Sequence, residues 1–253
     1  MPASVTLASG AEMPGLGLGT WQLDDAAEAV ADALEAGYRL IDTSGDYGTQ
    51  PGVGRAIASS SVPREEIFLV TKVEEHEDAY ESSKSNLEEL GVEQVDLMLI
   101  HRPPPSGAGE DLWEGLLEAK RDGLAREIGV SNYSTEQVER LHEAGGERPS
   151  VNQVSWSPFD HSPELLADAR RAGVAIQAYS PLRQGRIEDE ALAAIGGRHG
   201  KTPSQVTLRW CVQLGVVPLP KAGGAQHRRE NLEIFDFELD QAEMDAVGAL
   251  NGR

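Results

Sequence analysis

Short apolar runs alternate with longer amphipathic segments along most of the chain. Eight of these runs predict β-strands, because each spans only a few residues and is followed by a helical pattern. They are residues 15–19, 39–42, 67–72, 96–101, 127–130, 151–155, 175–179 and 216–220. Ahead of them, residues 5–7 and 11–13 flank Ser9-Gly10, which predicts a short N-terminal β-hairpin.

The segments between the predicted strands repeat small or apolar side chains three and four positions apart, as on one face of an α-helix. Three such faces are Val30, Ala33 and Leu34; Ser83, Leu87 and Leu90; and Leu165, Leu166 and Ala169. Asp24 is the predicted N-cap of the first of these helices, and Ser162-Pro163 predicts the start of the third.

Strands that alternate with helices imply parallel pairing, because each crossover to a parallel neighbour needs a long connection. An open doubly wound sheet and a closed barrel both satisfy this pattern. Polar residues at the C-terminal ends of seven predicted strands favour the barrel, where those ends converge on one mouth. They are Asp42, Lys72, His101, Ser131, Gln153, Tyr179 and Lys221. We therefore predict one domain over residues 1–253, an α/β fold of the (β/α)8 TIM-barrel type with the hairpin in front.

Gly15, Gly17 and Gly19 resemble a dinucleotide-binding fingerprint. The third glycine has the wrong spacing for that motif, and no acidic residue follows at the distance that a βαβ unit requires. The glycines therefore indicate a tightly packed first strand.

The charge balance narrows the choice of partners. The chain carries 22 basic and 42 acidic residues, a formal net charge of −20. Nucleic acid is not an expected partner, because a phosphate backbone binds basic surfaces. Acidic excess with sparse lysine favours a protein adapted to a salt-rich cytoplasm, where screening reduces self-repulsion. An ordinary acidic mesophilic protein is the alternative.

The sequence has no apolar run of about eighteen residues and no basic, apolar leader, so we expect a cytoplasmic protein without a membrane partner. Its single cysteine, Cys211, excludes an internal disulfide framework and a cysteine-based metal cluster. No His-Glu-x-x-His motif is present, so a zinc hydrolase is not expected. We expect a monomer without a bound metal.

Four residues at the predicted mouth suit carbonyl reduction. Asp42 and Lys72 end neighbouring strands and can pair, and Tyr47 follows the Asp42 strand. A lysine near a phenol stabilises the phenolate, so we expect a lowered pKa for Tyr47 and a role as proton donor. His101 can hydrogen-bond a substrate carbonyl, whose oxygen gains negative charge. Taken singly, Asp42 and Lys72 could be a structural ion pair at the barrel rim, Tyr47 a loop aromatic and His101 a core histidine. Their joint placement at one mouth favours a catalytic role.

The chain resembles the aldo-keto reductase superfamily, in its prokaryotic form, from the hairpin to about residue 250. Eight segments in order carry the resemblance: Gly17-Leu18-Gly19-Thr20-Trp21, Ile41-Asp42-Thr43 through Tyr47-Gly48, Val70-Thr71-Lys72, Asp96-Leu97-Met98-Leu99-Ile100-His101, Ile128-Gly129-Val130-Ser131-Asn132, Val151-Asn152-Gln153, Tyr179-Ser180-Pro181-Leu182 and Pro220-Lys221. The resemblance implies an enzyme that reduces small aldehydes or ketones to alcohols with NAD(P)H.

The resemblance also implies a role for each matching residue. Asp42, Tyr47, Lys72 and His101 would be catalytic, with Tyr47 as the proton donor. Trp21, His101 and Arg102 would contact the substrate, and Trp156 could equally be packing. Ser131, Asn132 and Gln153 would bind the nicotinamide carboxamide, and Tyr179 would stack on its ring. The other cofactor-binding residues would be Thr20, Ser180, Leu182, Lys221, His227, Glu230 and Asn231.

Two departures from the family pattern affect these expectations. Thr49-Gln50 replaces the usual Asn-Glu and should change only local hydrogen bonds. Ala222 and His227 stand where the family often has a hydroxyl residue and an arginine, which both help to hold a 2′-phosphate. Arg228 or Arg229 could substitute if one turns inward. We expect NADP(H) to be favoured by a reduced margin, with NAD(H) possible.

Two other functions are compatible with a barrel of this kind. One is a cofactor-sensing regulatory subunit with little turnover, which measurable reduction of a reactive aldehyde would exclude. A weaker alternative is a barrel hydrolase or isomerase, which would show no change in nicotinamide fluorescence on titration.

Overall fold

The N-terminal hairpin closes one end of the molecule. A computed structural model describes residues 4–182 and 187–252, and begins with β1 (Ser4–Thr6) and β2 (Glu12–Pro14). Val5 pairs with Met13 in antiparallel register. Leu7 and Met13 are buried in the same apolar cluster as the interior of the barrel. The predicted hairpin is therefore confirmed, and it covers the barrel end opposite the polar mouth.

Eight parallel strands follow, and each pairs with its neighbour in chain order. They are β3 (Leu18–Gly19), β4 (Leu40–Asp42), β5 (Phe68–Val73), β6 (Val95–Ile100), β7 (Ala125–Ser131), β8 (Val151–Ser155), β9 (Ala175–Tyr179) and β10 (Val216–Leu219). The Gly17 amide donates to the Pro218 carbonyl at 3.0 Å, and the Gly19 amide donates to Pro220 at 3.2 Å. These bonds join the two ends of the sheet into a nearly closed barrel, as predicted, and the open-sheet alternative is excluded.

Helices surround the barrel and bury their apolar faces against it. In the described residues they are α1 (Ala26–Ala36), α2 (Gln50–Ser59), α3 (Ala79–Leu90), α4 (Glu110–Arg121), α5 (Thr135–Gly145), α6 (Pro163–Ala172), α7 (Glu190–His199), α8 (Pro203–Gln213), α9 (Ala225–Leu232) and α10 (Gln241–Gly248). Ser162 caps α6 as predicted, by accepting the Leu165 amide. The N-cap of α1 is Asp25, not Asp24, because the Asp25 carboxylate accepts the Glu28 amide. No helix in this part of the chain is both long and apolar enough to cross a membrane.

The interior of the barrel is apolar below and polar at the mouth. Its apolar cluster includes Leu40, Phe68, Val70, Leu97, Leu99, Val151, Val217 and Leu219. On five strands, the residue two positions after the last of these apolar residues is polar: Asp42, Lys72, His101, Gln153 and Lys221. Since side chains repeat every two residues on one face of a strand, the periodicity that fills the barrel also brings these polar groups to its mouth.

Gly17 lies where the barrel has no room for a side chain. A Cβ at this position would lie 2.2 Å from Leu40 Cδ2 and 2.6 Å from Leu219 Cδ2. Gly17 is therefore explained by close packing at the first strand, as the sequence indicated.

Candidate active site

A buried ion pair between Lys72 on β5 and Asp42 on β4 lies beneath the mouth. Lys72 Nζ donates to Asp42 Oδ1 at 2.8 Å and to the Thr43 carbonyl at 2.7 Å. Gln153 Nε2 donates to the same Asp42 oxygen at 2.8 Å. Burial by itself lowers the pKa of Lys72, but Asp42 and Tyr47 outweigh it and the net pKa is raised. Lys72 is therefore a cation at all ordinary pH values.

Tyr47 ends a short 3₁₀ turn, Gly45–Tyr47, after β4, and Lys72 Nζ lies 4.9 Å from the centroid of its ring. Burial, the largest effect, raises the pKa of Tyr47; Lys72 lowers it, and the Asp42 and Asp46 carboxylates raise it again. The net pKa is raised, so the expected lowering of the phenol pKa is wrong. Burial outweighs the lysine here, and the phenol keeps its proton, which is the form that a proton donor needs.

His101 follows β6 and pairs with a carboxylate that the sequence prediction did not include. Its Nδ1 lies 2.6 Å from Glu74 Oε1 and 3.6 Å from Asp46 Oδ1. Burial raises the pKa of Glu74, but the hydrogen bond and charge of His101, together with Arg102, outweigh it and lower the pKa overall. Glu74 is therefore an ionised partner of His101 near neutral pH.

Asp46, Glu74 and His101 place three metal-ligand atoms within 4.8 Å of one another, the one such group found in the described part of the chain. The 2.6 Å contact between Nδ1 and Glu74 is too short for two ligands of one ion. Metal–ligand bonds near 2.1 Å separate neighbouring ligands by about 3 Å. The contact is that of a hydrogen bond.

A polar wall extends across the mouth from β7 to β9. Ser131 Oγ donates to the Gln153 carbonyl at 2.8 Å, and Asn132 Nδ2 donates to Ser131 Oγ at 3.1 Å. The Tyr179 hydroxyl donates to Asn132 Oδ1 at 2.8 Å. Asn132 has φ 64°, in the left-handed region that asparagine adopts more readily than most residues. These contacts hold the amide of Asn132 and the ring of Tyr179 side by side, which suits a flat ring with a carboxamide.

A cavity of about 310 Å³ opens between these groups. It is lined by Gly19, Trp21, Asp42, Asp46, Tyr47, His101, Arg102, Ser131, Asn132, Gln153, Tyr179, Ser180, Leu219 and Lys221. Trp21 is 53% exposed at the outer rim. The Arg102 guanidinium lies 3.5 Å from Asp46 and 3.7 Å from Glu74. The predicted substrate contacts and the wall therefore share one cavity with Tyr47.

Lys221 also lines a second cavity, of about 450 Å³, together with Asp24, Asp25 and Glu28. Arg228 turns inward beside it; its Nε donates to Asp32 at 2.7 Å and one Nη donates to the Ala222 carbonyl at 2.8 Å.

No side chain caps α9, which begins after Gly224 at this cavity. A helix start and the Lys221 cation suit phosphate groups, whereas the Arg228 charge is already paired with Asp32. Together the two cavities have the chemistry to hold a nicotinamide dinucleotide.

Five of the predicted cofactor residues do not line either cavity: Thr20, Leu182, His227, Glu230 and Asn231. Thr20 is buried, with its hydroxyl 3.0 Å from that of Thr49. Leu182 is half-buried against the outer apolar core, and His227 is exposed on α9. Asn231 is buried beside Tyr38, and Glu230 accepts a hydrogen bond from Gln226.

Thr49 and Gln50 are both buried and make local hydrogen bonds with neighbouring side chains. The Thr49 hydroxyl lies 2.9 Å from that of Thr43, and Gln50 Oε1 accepts from Thr71 at 2.6 Å. Trp156 is 1% exposed and stacks on Trp210, so its role is packing.

Sequence reasoning missed Glu74 and Asp46. A usable signal existed for Glu74, because it lies two residues beyond Lys72 and so continues the inward-facing positions of β5. For Asp46, one residue before Tyr47 in a short turn, no periodic signal was available.

Comparison with known proteins agrees with the fold and with the chemistry of the two cavities. A family model described as the aldo/keto reductase family matches residues 10–251. An aldo-keto reductase of Mycobacterium sp. (strain MCS) is 41% identical over 256 residues, covering 98% of this chain and 90% of that protein.

Solved structures agree. The crystal structure of an aldo/keto reductase from Brucella melitensis has a TM-score of 0.95 and 39% identity, and covers 99% of this chain and 98% of that one. The structure of the Bombyx mori aldo-keto reductase in complex with NADP has a TM-score of 0.93 and 32% identity. The match covers 99% of this chain and 93% of that one.

Proposed function

The chain belongs to the aldo/keto reductase family and so reduces carbonyl compounds with a nicotinamide cofactor; we propose that Tyr47 is its proton donor. One observation carries the assignment: the Tyr47 ring lies against the Lys72–Asp42 pair and lines the same cavity as His101. The bound nicotinamide supplies the hydride. No observation favours the alternative of a regulatory subunit.

The residues at the mouth of the barrel bind the substrate and supply the proton. His101 hydrogen-bonds the substrate oxygen and orients it. Tyr47 then gives its phenolic proton to that oxygen as negative charge develops on it. The Lys72 cation stabilises the phenolate that remains, and Asp42 holds Lys72 in place. Trp21 and Arg102, on the rim, contact the rest of the substrate.

The cofactor would be held at both of its ends. Ser131, Asn132 and Gln153 offer hydroxyl and amide groups to the carboxamide, and Tyr179 lies beside them as a flat surface. Lys221 and the start of α9 would contact the phosphate groups at the far end.

Replacing Tyr47 tests the proposed function. Tyr47→Phe removes the donated proton, so turnover of a reactive aldehyde should fall by about 10²–10⁴-fold. Nicotinamide fluorescence should show unchanged cofactor binding. Tyr80→Phe is the matched control, because the Tyr80 hydroxyl bonds only to the Asp122 carboxylate on the outer surface in the contacts described, and turnover should be kept. A folded Tyr47→Phe enzyme with most of its turnover would contradict the assignment.

We further propose that NADP(H) is favoured over NAD(H) by a narrow margin. Lys221 supplies positive charge at the second cavity, but the Arg228 charge is paired with Asp32, and Asp24, Asp25 and Glu28 add negative charge. Ala222 has no hydroxyl to donate, and the exposed His227 lacks the bidentate fork of an arginine. These features support acceptance of both cofactors.

The cofactor margin is measured as the ratio of kcat/KM for NADPH and NADH. His227→Arg should raise this ratio by about 10- to 150-fold, since one hydrogen bond to a charged group contributes about 1.5–3 kcal/mol. Gln226→Arg adds the same charge one position earlier on α9 and should change the ratio less. If both variants act alike, only general charge matters and His227 is not beside the phosphate.

A further inference from the structure

Glu74 is a buried carboxylate that the proposed reaction does not use. It is 7% exposed, and its Oε1 lies 2.6 Å from His101 Nδ1. The Ser44 hydroxyl donates to the same oxygen at 3.4 Å. Arg102 lies 3.7 Å from the other oxygen. Glu74 is thus held in place from both sides and is directed at one nitrogen of the histidine.

The protonation of the histidine follows from this contact. An ionised carboxylate can only accept hydrogen bonds, so Nδ1 must carry a proton to donate to it. A neutral imidazole has a single N–H group, and its position is set by the bond that the ring makes. With the proton on Nδ1, the neutral ring has only a lone pair at Nε2.

We propose that Glu74 is a positioning residue that fixes the proton of His101 on Nδ1, so that Nε2 can donate to a substrate carbonyl only when the ring is an imidazolium ion. This inference rests on the proposed role of His101 at the carbonyl. A neutral ring would place its Nε2 lone pair against the lone pairs of the carbonyl oxygen. Carbonyl reduction then requires the charged form of His101 and weakens as pH rises.

The charged groups around His101 are consistent with this requirement. Asp46 lies 3.6 Å from Nδ1 and adds a second negative charge beside that nitrogen. Arg102 carries a positive charge but is itself paired with Asp46, Glu74 and Glu75. The Tyr47 ring, 5.7 Å away, stays neutral because burial raises the pKa of its phenol. Lys72 lies behind Tyr47 and is neutralised by Asp42.

The test combines nitrogen NMR of His101 with the pH dependence of kcat/KM for an aromatic aldehyde, both in the full chain. In the wild type, the neutral ring should carry its proton on Nδ1. Its kcat/KM should fall from the acidic to the alkaline plateau by roughly 10²–10³-fold, as for the loss of one donor to a developing oxyanion.

Glu74→Gln is the decisive variant. A glutamine amide can donate to Nδ1 as well as accept from it, so the proton can move to Nε2 in the neutral ring. The fall in kcat/KM with pH should then shrink to less than about tenfold. Glu75→Gln is the matched control, because Glu75 is the next carboxylate along the chain, and its nearest described charged partner is Arg102, not His101. This variant should keep the profile of the wild type.

Several results would overturn the inference. If NMR shows that the neutral His101 ring of the wild type carries its proton on Nε2, the inference is overturned. This measurement needs no variant, so the inference can be tested even if Glu74→Gln does not fold. A Glu74→Gln variant with the tautomer and profile of the wild type would also overturn it. A proton on Nδ1 with a flat wild-type profile would refute donation by His101; Tyr47→Phe would still report separately on the proton donor.

Discussion

Lys72 is the most confined charge of the mouth. Its side chain has no exposed surface, and that of its partner Asp42 is 5% exposed. Breaking a buried pair by removing one member leaves an uncompensated charge in a medium that solvates it poorly. Without Lys72, Asp42 would keep Gln153 as a neutral hydrogen-bond donor. Lys72 therefore affects both the stability of the barrel and Tyr47, the proposed proton donor, whose ring centroid lies 4.9 Å from Nζ.

Lys72→Met should lower the free energy of unfolding by about 3–5 kcal/mol, as expected when one member of a buried ion pair is removed. Lys84→Met is the matched control, since Lys84 is 45% exposed and pairs with the exposed Glu81. Its effect should stay within about 0.5 kcal/mol. Urea unfolding at neutral pH measures both, and equal effects of the two substitutions would contradict the account.

At the scale of the elements, neighbouring glycines in α7 have opposite environments. A Cβ at Gly196 would lie 2.3 Å from the carbonyl oxygen of Lys201 in the backbone that follows the helix. A Cβ at Gly197 would meet nothing within 4 Å. Both are in the same helix with ordinary helical φ, so the two positions separate helix propensity from packing.

Gly197→Ala should stabilise the protein by about 0.5–1 kcal/mol, because alanine loses less backbone entropy in a helix. Gly196→Ala should destabilise it by about 1–3 kcal/mol, because backbone atoms must move to admit the methyl group. Thermal unfolding of the two variants is the measurement. Stabilisation by both would show that α7 and its C-terminal turn can separate at little cost.

At the scale of the whole molecule, the net charge of −20 sets the balance of long-range forces. Self-repulsion of this size destabilises the compact state in dilute buffer. The Debye length falls from about 10 Å at 0.1 M salt to about 3 Å at 1 M, so salt screens exposed charges. The buried Lys72–Asp42 pair is screened much less, so salt should leave this pair intact. We propose that the charge is an adaptation to a salt-rich cytoplasm.

The melting temperature and the activity should therefore both rise as KCl increases from millimolar to about molar concentration. Potassium sulfate is the comparison salt, because sulfate also strengthens hydrophobic burial. If the melting temperature rises in KCl, charge screening is the cause. If it rises only in potassium sulfate, stronger hydrophobic burial is the cause. A flat or falling melting temperature in KCl would exclude the proposed adaptation.

The sequence alone determined the succession of strands along the chain, their parallel direction and the residues at their ends. The reason is that strand side chains alternate with a period of two and parallel strands share one orientation. Leu40 and Asp42, or Leu99 and His101, therefore fall on one face without reference to the rest of the fold. The Ser162 cap of α6 was likewise local, since a cap needs only the next three residues.

Tertiary structure alone decided which distant groups meet and how strongly they are buried. Glu74 and His101 are 27 positions apart, and no local pattern brings a particular carboxylate to a particular ring nitrogen. The phase of α9 turned Arg228 inward and left His227 exposed. The net pKa of Tyr47 rose because burial depends on every segment that packs around the phenol, whereas the sequence revealed only the nearby lysine.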